Sequence, residues 1–189
     1  MLKKKNFIVI LFQIFFSSEI IANERWVLDK DLSTINFELP VLFANNVKGE
    51  FKEIEGLIEI DLNTKKNNKA IFSVKLNSIQ INYTKYKELL LSDIFFNSYE
   101  YPIALVDTKK FSYKNESEIT LNVELTIKGL SQLVPLKLKI IHLTDELVQI
   151  KGKLFFSRTN FNIGIGKWSM TSILKDKALI QTNLFLFKE

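Results

Sequence analysis

The chain has 189 residues, 47% of them hydrophobic and sixteen of them Phe, which suits a single domain with a substantial core. It contains no cysteine, so disulfide frameworks, thiolate chemistry and lipidated N-terminal cysteines are excluded. The formal charge is +5 and the lysines alternate with apolar residues, a pattern of solvated strand faces that gives no case for nucleic acid as a partner.

Residues 1–22 read as an address. Lys3, Lys4 and Lys5 precede an apolar run from Phe7 to Phe16, and small Ala22 offers a cleavage site, the order found in secretory signal peptides. The run falls short of the roughly 20 residues that span a bilayer, although an uncleaved anchor reaching Ile21 is the alternative. Removing this segment takes away three lysines and Glu19 and leaves +3. The expected mature domain is 23–189.

Alternation of apolar and polar residues, which puts successive side chains on opposite faces, predicts strands along the rest of the chain. Phe72, Val74 and Leu76 mark one. Thr84 to Phe96 is the one stretch with helical spacing, through Tyr86, Leu89, Leu90 and Asp93. Glu118 to Ile127 is the clearest strand, with Ile119, Leu121, Val123, Leu125 and Ile127 on one face. Val134 to Ile140, Val148 to Phe156 and Ala178 to Leu186 continue the series. Turn signals separate these runs at 63–68, 114–116, 128–129 and 144–145. About eight strands without helical crossovers predict an antiparallel, all-β fold with one short helix after the third strand. Periodicity leaves sandwich and barrel equally open. A membrane-spanning barrel is disfavoured, because Lys137 and Lys139 on its lipid face would each cost about 2–4 kcal/mol at the bilayer midplane.

The stretch FFSRTNFNIGIGKWS contains Gly-Ile-Gly-Lys, but a Walker loop needs a glycine where Phe161 stands and a hydroxyl where Trp168 stands. A dinucleotide fingerprint fails at Ser169 in the same way. The single histidine, His142, removes multi-histidine metal sites and weakens any Ser-His-Asp arrangement. Glu53 and Glu55 lie two apart on one strand face and repel. No acid–base or nucleophile set is legible, and the chain is expected not to be an enzyme and to need no metal or cofactor.

Five segments together resemble the YceI-like family of periplasmic polyisoprenoid-binding proteins. WVLDKDLSTINFELP is similar to its opening strand through Ser33 and Phe37, and VKGEFKEIEGLIEIDL to its next hairpin through Gly49, Phe51, Gly56 and Asp61. LSDIFFNSYEYPIALVDT resembles its paired phenylalanines followed by Tyr-Pro (Phe95, Phe96, Tyr101, Pro102). LTIKGLSQLVPLKLK is similar to a strand-glycine-strand signature, and SRTNFNIGIGKW to an Arg-x-Asp-Phe-Gly-Ile-Gly signature. There are departures: Val41-Leu42-Phe43 replaces a His-Leu-Gly, Tyr86-Lys87-Glu88-Leu89-Leu90 replaces an Arg-Asp-x-His-Leu run, and Asn160 and Asn162 replace Asp and Gly.

The resemblance implies an eight-stranded, lipocalin-like antiparallel barrel, exported to the periplasm, whose apolar bore takes an isoprenoid lipid of polyprenyl or quinone type without chemical turnover. The lining it suggests comprises Phe37, Phe51, Phe72, Val74, Leu76, Phe95, Phe96, Val123, Leu125, Leu138, Phe156 and Ile180, part of it core. Arg158 would meet a polar head group or else pair with a carboxylate such as Asp107 or Glu124. Phe161 is either core or ligand wall, and Trp168 either stacks on ligand or plugs one end. Transient membrane contact and a homodimer are compatible expectations. The competing reading is an interaction or stress-response module whose barrel is packed shut.

Overall fold

In the computed structural model, residues 24–41 and 45–189 are described; the expected signal segment lies outside them. Ten strands are formed: β1 (Arg25–Leu39), β2 (Val47–Phe51), β3 (Ile54–Glu59), β4 (Lys69–Lys75), β5 (Ile79–Ile81), β6 (Ile103–Asp107), β7 (Ile119–Ile127), β8 (Leu130–Thr144), β9 (Leu147–Ser157) and β10 (Lys177–Lys188). All neighbours are antiparallel, and β1 pairs with β10 from Trp26↔Lys188 to Glu38↔Leu179, closing the sheet on itself. Closure removes the long edges that an open sheet of this size would expose.

The ten strands are eight walls, two of them creased. β2 and β3 are one strand broken at Lys52-Glu53, and β4 and β5 are one strand broken by the 3-10 turn Leu76–Ser78. The two breaks lie side by side. The Ser78 hydroxyl accepts hydrogen bonds from the amides of Lys52 (3.2 Å) and Glu53 (3.0 Å) and donates to Lys75 O (2.6 Å), so the interrupted ladder leaves few orphan groups. β1 has its own irregularity between Asp29 and Thr34. There Asp29 Oδ1 accepts from the amides of Asp31 and Leu32, and buried Ser33 accepts from Phe185 N at 2.9 Å, replacing a ladder bond.

The helix follows the third wall, as the spacing predicts, but it is shorter than the 84–96 expected. A 3-10 turn at Thr84–Tyr86 leads into α1 (Lys87–Leu91), and Ser92 then turns extended while its hydroxyl donates to Leu89 O at 2.7 Å. Phe95 and Phe96 are thereby swung into the barrel instead of continuing a helix face; both are buried. Among the described residues no helix is long and apolar enough to cross a membrane. The expected alternation is realised on β7, where Ile119, Val123, Leu125 and Ile127 are buried and Thr120 and Asn122 are exposed.

Both ends are closed. At the α1 end the cover is made by the segment after β5 and by 158–176 between β9 and β10. At the other end are the turns 60–68, 108–118 and 145–146, together with Trp26, whose Nε1 donates to Ile60 O at 3.1 Å.

Candidate functional site

The inward faces of the eight walls do not meet everywhere. They leave an internal cavity of about 160 Å³ that runs from Phe51 and Phe96 at the α1 end to Ile60, Phe111 and Ile140 near the other. At about 10–15 Å³ for each water-sized group, it has room for roughly a dozen non-hydrogen atoms, two or three prenyl units. Leu136, Leu138, Ile180, Phe72 and Val106 point inward yet remain only half-buried, because they face this space and not one another.

Small inward residues make the room. Ala70 and Ala104 on β4 and β6, and Gly152 and Ala178 on β9 and β10, stand where larger side chains would fill the bore. Two further glycines act on their cross-strand neighbours. Gly49 is opposite Phe37 and Gly56 opposite Phe72, and in each pair the ring occupies the volume that a glycine Cβ would take; the Phe72 ring lies 2.8 Å from that point. The rings can thus lie along the wall and leave the axis open. In the sequence Gly49 and Gly56 carry only the family resemblance and Ala178 only the strand series, and Ala70, Ala104 and Gly152 are not singled out, although Gly152 falls in the inward series Ile150, Gly152, Leu154.

Eleven of the fifteen residues expected at the site line the cavity: Phe37, Phe51, Phe72, Val74, Phe95, Phe96, Leu125, Leu138, Phe156, Arg158 and Ile180. Four do not. Leu76 is buried in the crease, its amide donating to Pro102 O. Val123 is fully buried opposite Val134. Phe161 is 0% exposed and packs edge-on against Phe156 with centroids 5.4 Å apart, so it is core behind the wall. Trp168 packs edge-on against Phe95 at 5.8 Å, backing a lining residue from outside the cavity.

Arg158 corrects a second expectation. Its guanidinium forms no ion pair with Asp107 or Glu124, both of which hold Lys109. It is 1% exposed and donates five hydrogen bonds, all to backbone carbonyls. Nε reaches Lys175 O (3.0 Å), Nη1 reaches Ile163 O (2.7 Å) and Gly164 O (3.2 Å), and Nη2 reaches Trp168 O (2.9 Å) and Leu174 O (2.8 Å). Every N–H of the fork is engaged, so the group binds its own loop and has no donor left for a head group. Burial lowers its pKa, opposed by the charge of Asp176, while arginine remains protonated throughout the working range. Gly164, at φ +76°, is required here twice: for its left-handed backbone, and because a Cβ would stand 2.8 Å from Arg158 Nη1.

Polar groups are few along the lining. Thr108 Oγ1 accepts from Ala70 N and donates to Lys109 O, whereas the Thr182 hydroxyl has no hydrogen-bond partner among the described residues. No group of three His, Cys, Asp or Glu residues among the described ones could hold a metal. His142 lies at the surface, its Nε2 3.0 Å from Glu116, which also binds Lys65. Burial would raise the Glu116 pKa, but Lys65 and His142 outweigh it and hold the carboxyl below its usual value. Glu53 pairs with Lys75 and Glu55 with Lys30, away from the bore. The geometry can hold an apolar chain, and no acid, base and nucleophile converge beside it among the described residues.

A family model described as the YceI-like domain matches residues 26–185. The chain is 25% identical over 146 residues to the protein YceI of Escherichia coli O6:H1, with 76% of each covered. It is similar in structure to BcnA of Burkholderia cenocepacia, with a TM-score of 0.78 at 21% identity over 84% of this chain and 98% of that one. It is similar also to a polyisoprenoid binding domain from Saccharophagus degradans implicated in plant cell wall breakdown, with a TM-score of 0.67 at 14% identity over 88% and 99%. These likenesses bear out the closed eight-stranded barrel.

Proposed function

Since the chain belongs to the YceI-like domain family, we propose that it is an exported, non-catalytic carrier that sequesters or ferries an isoprenoid lipid, polyprenyl or quinone in type, within the bore. The observation that carries this is the internal apolar cavity bounded by all eight walls. Each methylene taken from water contributes about 0.8 kcal/mol, so a dozen carbons give roughly 10 kcal/mol gross. Immobilising the ligand takes back at least about 4 kcal/mol, which leaves about 6 kcal/mol, an affinity of tens of micromolar for a tail of this length. The tail therefore sets affinity. With Arg158 engaged by its own loop, the Thr182 hydroxyl is the wall group positioned to meet a ligand oxygen.

The void is shorter than a long polyprenyl chain. Phe37, Phe51 and Phe96 form a ring cluster at the α1 end, with centroids 5.6 and 6.3 Å apart, and are the side chains whose rotation would lengthen the bore. A carrier of this kind works against a membrane that holds its cargo, and residues 1–22 would direct it across one into the periplasm.

Organic extraction of gently purified protein followed by mass spectrometry tests the reading. Stoichiometric isoprenoid is expected from the wild type. Ala104→Leu with Ala178→Leu, which refills about half of the void, is expected to reduce bound lipid at least tenfold at a cost of about 1–3 kcal/mol in stability. Lipid-free wild-type protein would favour a barrel packed shut for some other interaction, and undiminished lipid in the folded double variant would put the lipid outside the bore and overturn the reading.

A further inference from the structure

The outer face of the β8–β9 hairpin carries four lysines in an unfavourable register. Lys137 is directly opposite Lys153, and Lys139 directly opposite Lys151, with all four exposed. Side chains paired in this way start from Cβ atoms about 5 Å apart, and like charges so placed destabilise a sheet. None of the four lies within ion-pairing distance of a carboxylate among the described residues, whereas lysines elsewhere on the barrel commonly do: Lys30, Lys48, Lys52, Lys65, Lys75, Lys109 and Lys188. The same two rows continue across β10 and β1 through the amides of Gln181, Asn183 and Asn36, bordering one shallow groove. Glu118 is the acidic residue in that groove, so four positive charges face one negative.

Apolar groups border the lysines along both strands. Phe155 follows Lys153 on the outer face of β9 at 38% exposure, and Lys177 sits over its ring at 4.3 Å. Leu133, 70% exposed, and Leu143, 46% exposed, flank the lysines on β8.

We propose that this lysine plate is the face by which the protein docks on an anionic phospholipid bilayer, its four ammonium groups at the level of the lipid phosphates and Phe155 and Leu133 entering the interface. The proposal rests on the carrier reading, because it supplies the approach to a membrane that such a carrier needs. Charge complementarity and side-chain type favour a bilayer over an acidic protein. Lysine is depleted at protein–protein interfaces and arginine enriched there, and the plate has no arginine fork to grip a fixed carboxylate. Mobile lipid phosphates require only positive point charges, and a cluster of lysines beside apolar groups is a recurrent means of holding them. The repulsion between the opposed lysines is relieved when phosphates settle between them.

The experiment is co-sedimentation of the purified mature chain, residues 23–189, with vesicles of phosphatidylglycerol mixed into phosphatidylcholine, against vesicles of phosphatidylcholine alone. The wild type is expected to bind the anionic vesicles alone and to lose binding as salt shortens the screening length. Lys137→Gln with Lys153→Gln should weaken that binding by about fivefold per lysine, roughly 25-fold for the pair. A control with the same charge change, Lys66→Gln with Lys114→Gln in two turns of the barrel, should bind as the wild type does. Thermal melting of each variant verifies folding, and removal of the opposed charges should leave it unchanged or raised. Equal binding by the plate variant, or equal binding to neutral vesicles, overturns the proposal. Absence of wild-type binding to either vesicle also overturns it and would leave an acidic protein as the partner of the plate. Lipid content of the same preparations separates the two ideas. A chain that docks through the plate but carries no isoprenoid sinks the carrier and leaves the docking face standing, while a loaded chain indifferent to the plate does the reverse.

Discussion

The two ends of the barrel are closed by different means. At the α1 end a single side chain, Arg158, holds five carbonyls spread over Ile163 to Lys175. At the far end each turn carries its own short polar residue. Asp61 accepts from Asn63 N (2.9 Å), Thr64 N (2.7 Å) and Thr64 Oγ1 (2.5 Å), Asn68 Oδ1 accepts from Asp61 N (2.8 Å), and Asn115 Oδ1 accepts from Ser117 N (2.9 Å). One closure is concentrated and the other distributed. A long irregular segment tied to its surroundings at only a few points, such as the Leu174–Val41 bridge and the Lys128 bond to Asn162 O, depends chiefly on the group that gathers most of its carbonyls, whereas short turns fail one at a time.

Substitutions should expose that difference. Arg158→Ala leaves five carbonyls of a covered loop without their donor and should cost about 3–5 kcal/mol in urea unfolding. Arg158→Lys, with three donors and no planar fork, should recover less than half of that loss. If Arg158→Ala costs under 1 kcal/mol, the concentration of the closure in one residue is wrong. Asp61→Ala should cost about 1–2 kcal/mol, and its effect should depend on pH. Hydrogen bonds from Thr64 hold the Asp61 carboxyl below its ordinary 3.8, so its contribution is complete above that value and is lost as pH falls through the lower folded one. The gap between wild type and Asp61→Ala should accordingly narrow below about pH 4; a gap constant down to pH 2 would remove the carboxylate from the account. Asn115→Ala should be the mildest, a few tenths to about 1 kcal/mol, with its effect confined to hydrogen exchange near 114–118.

The walls were more legible than the space between them. Alternation on β7, β8 and β9 is a local property, and the inward faces named from it are the inward faces found. The bore depends on what stands across from what. That Gly49 accommodates Phe37 and Gly56 accommodates Phe72 follows from strand register, which no single segment displays. The list of large apolar residues consequently mixed lining such as Phe72 with core such as Phe161, while Ala70, Ala104 and Gly152 went unremarked and Ala178 figured only as a strand position. Arg158 shows the same limit: carboxylates are visible in a sequence as partners for a guanidinium, and the carbonyls that it actually binds belong to every residue alike. Helical spacing over 84–96 held for one turn of α1, and the paired phenylalanines beyond it follow the demands of the barrel.

The paired interruptions at Lys52-Glu53 and Leu76–Ser78 divide the wall into two panels. Beyond them, β2 and β5 reach the closed cylinder through the β1 ladder alone, since β5 has no second strand neighbour. Slack in the barrel is therefore concentrated in this corner, beside the Phe51 ring, where a flap could lift by parting a few ladder bonds while the other six staves keep their register.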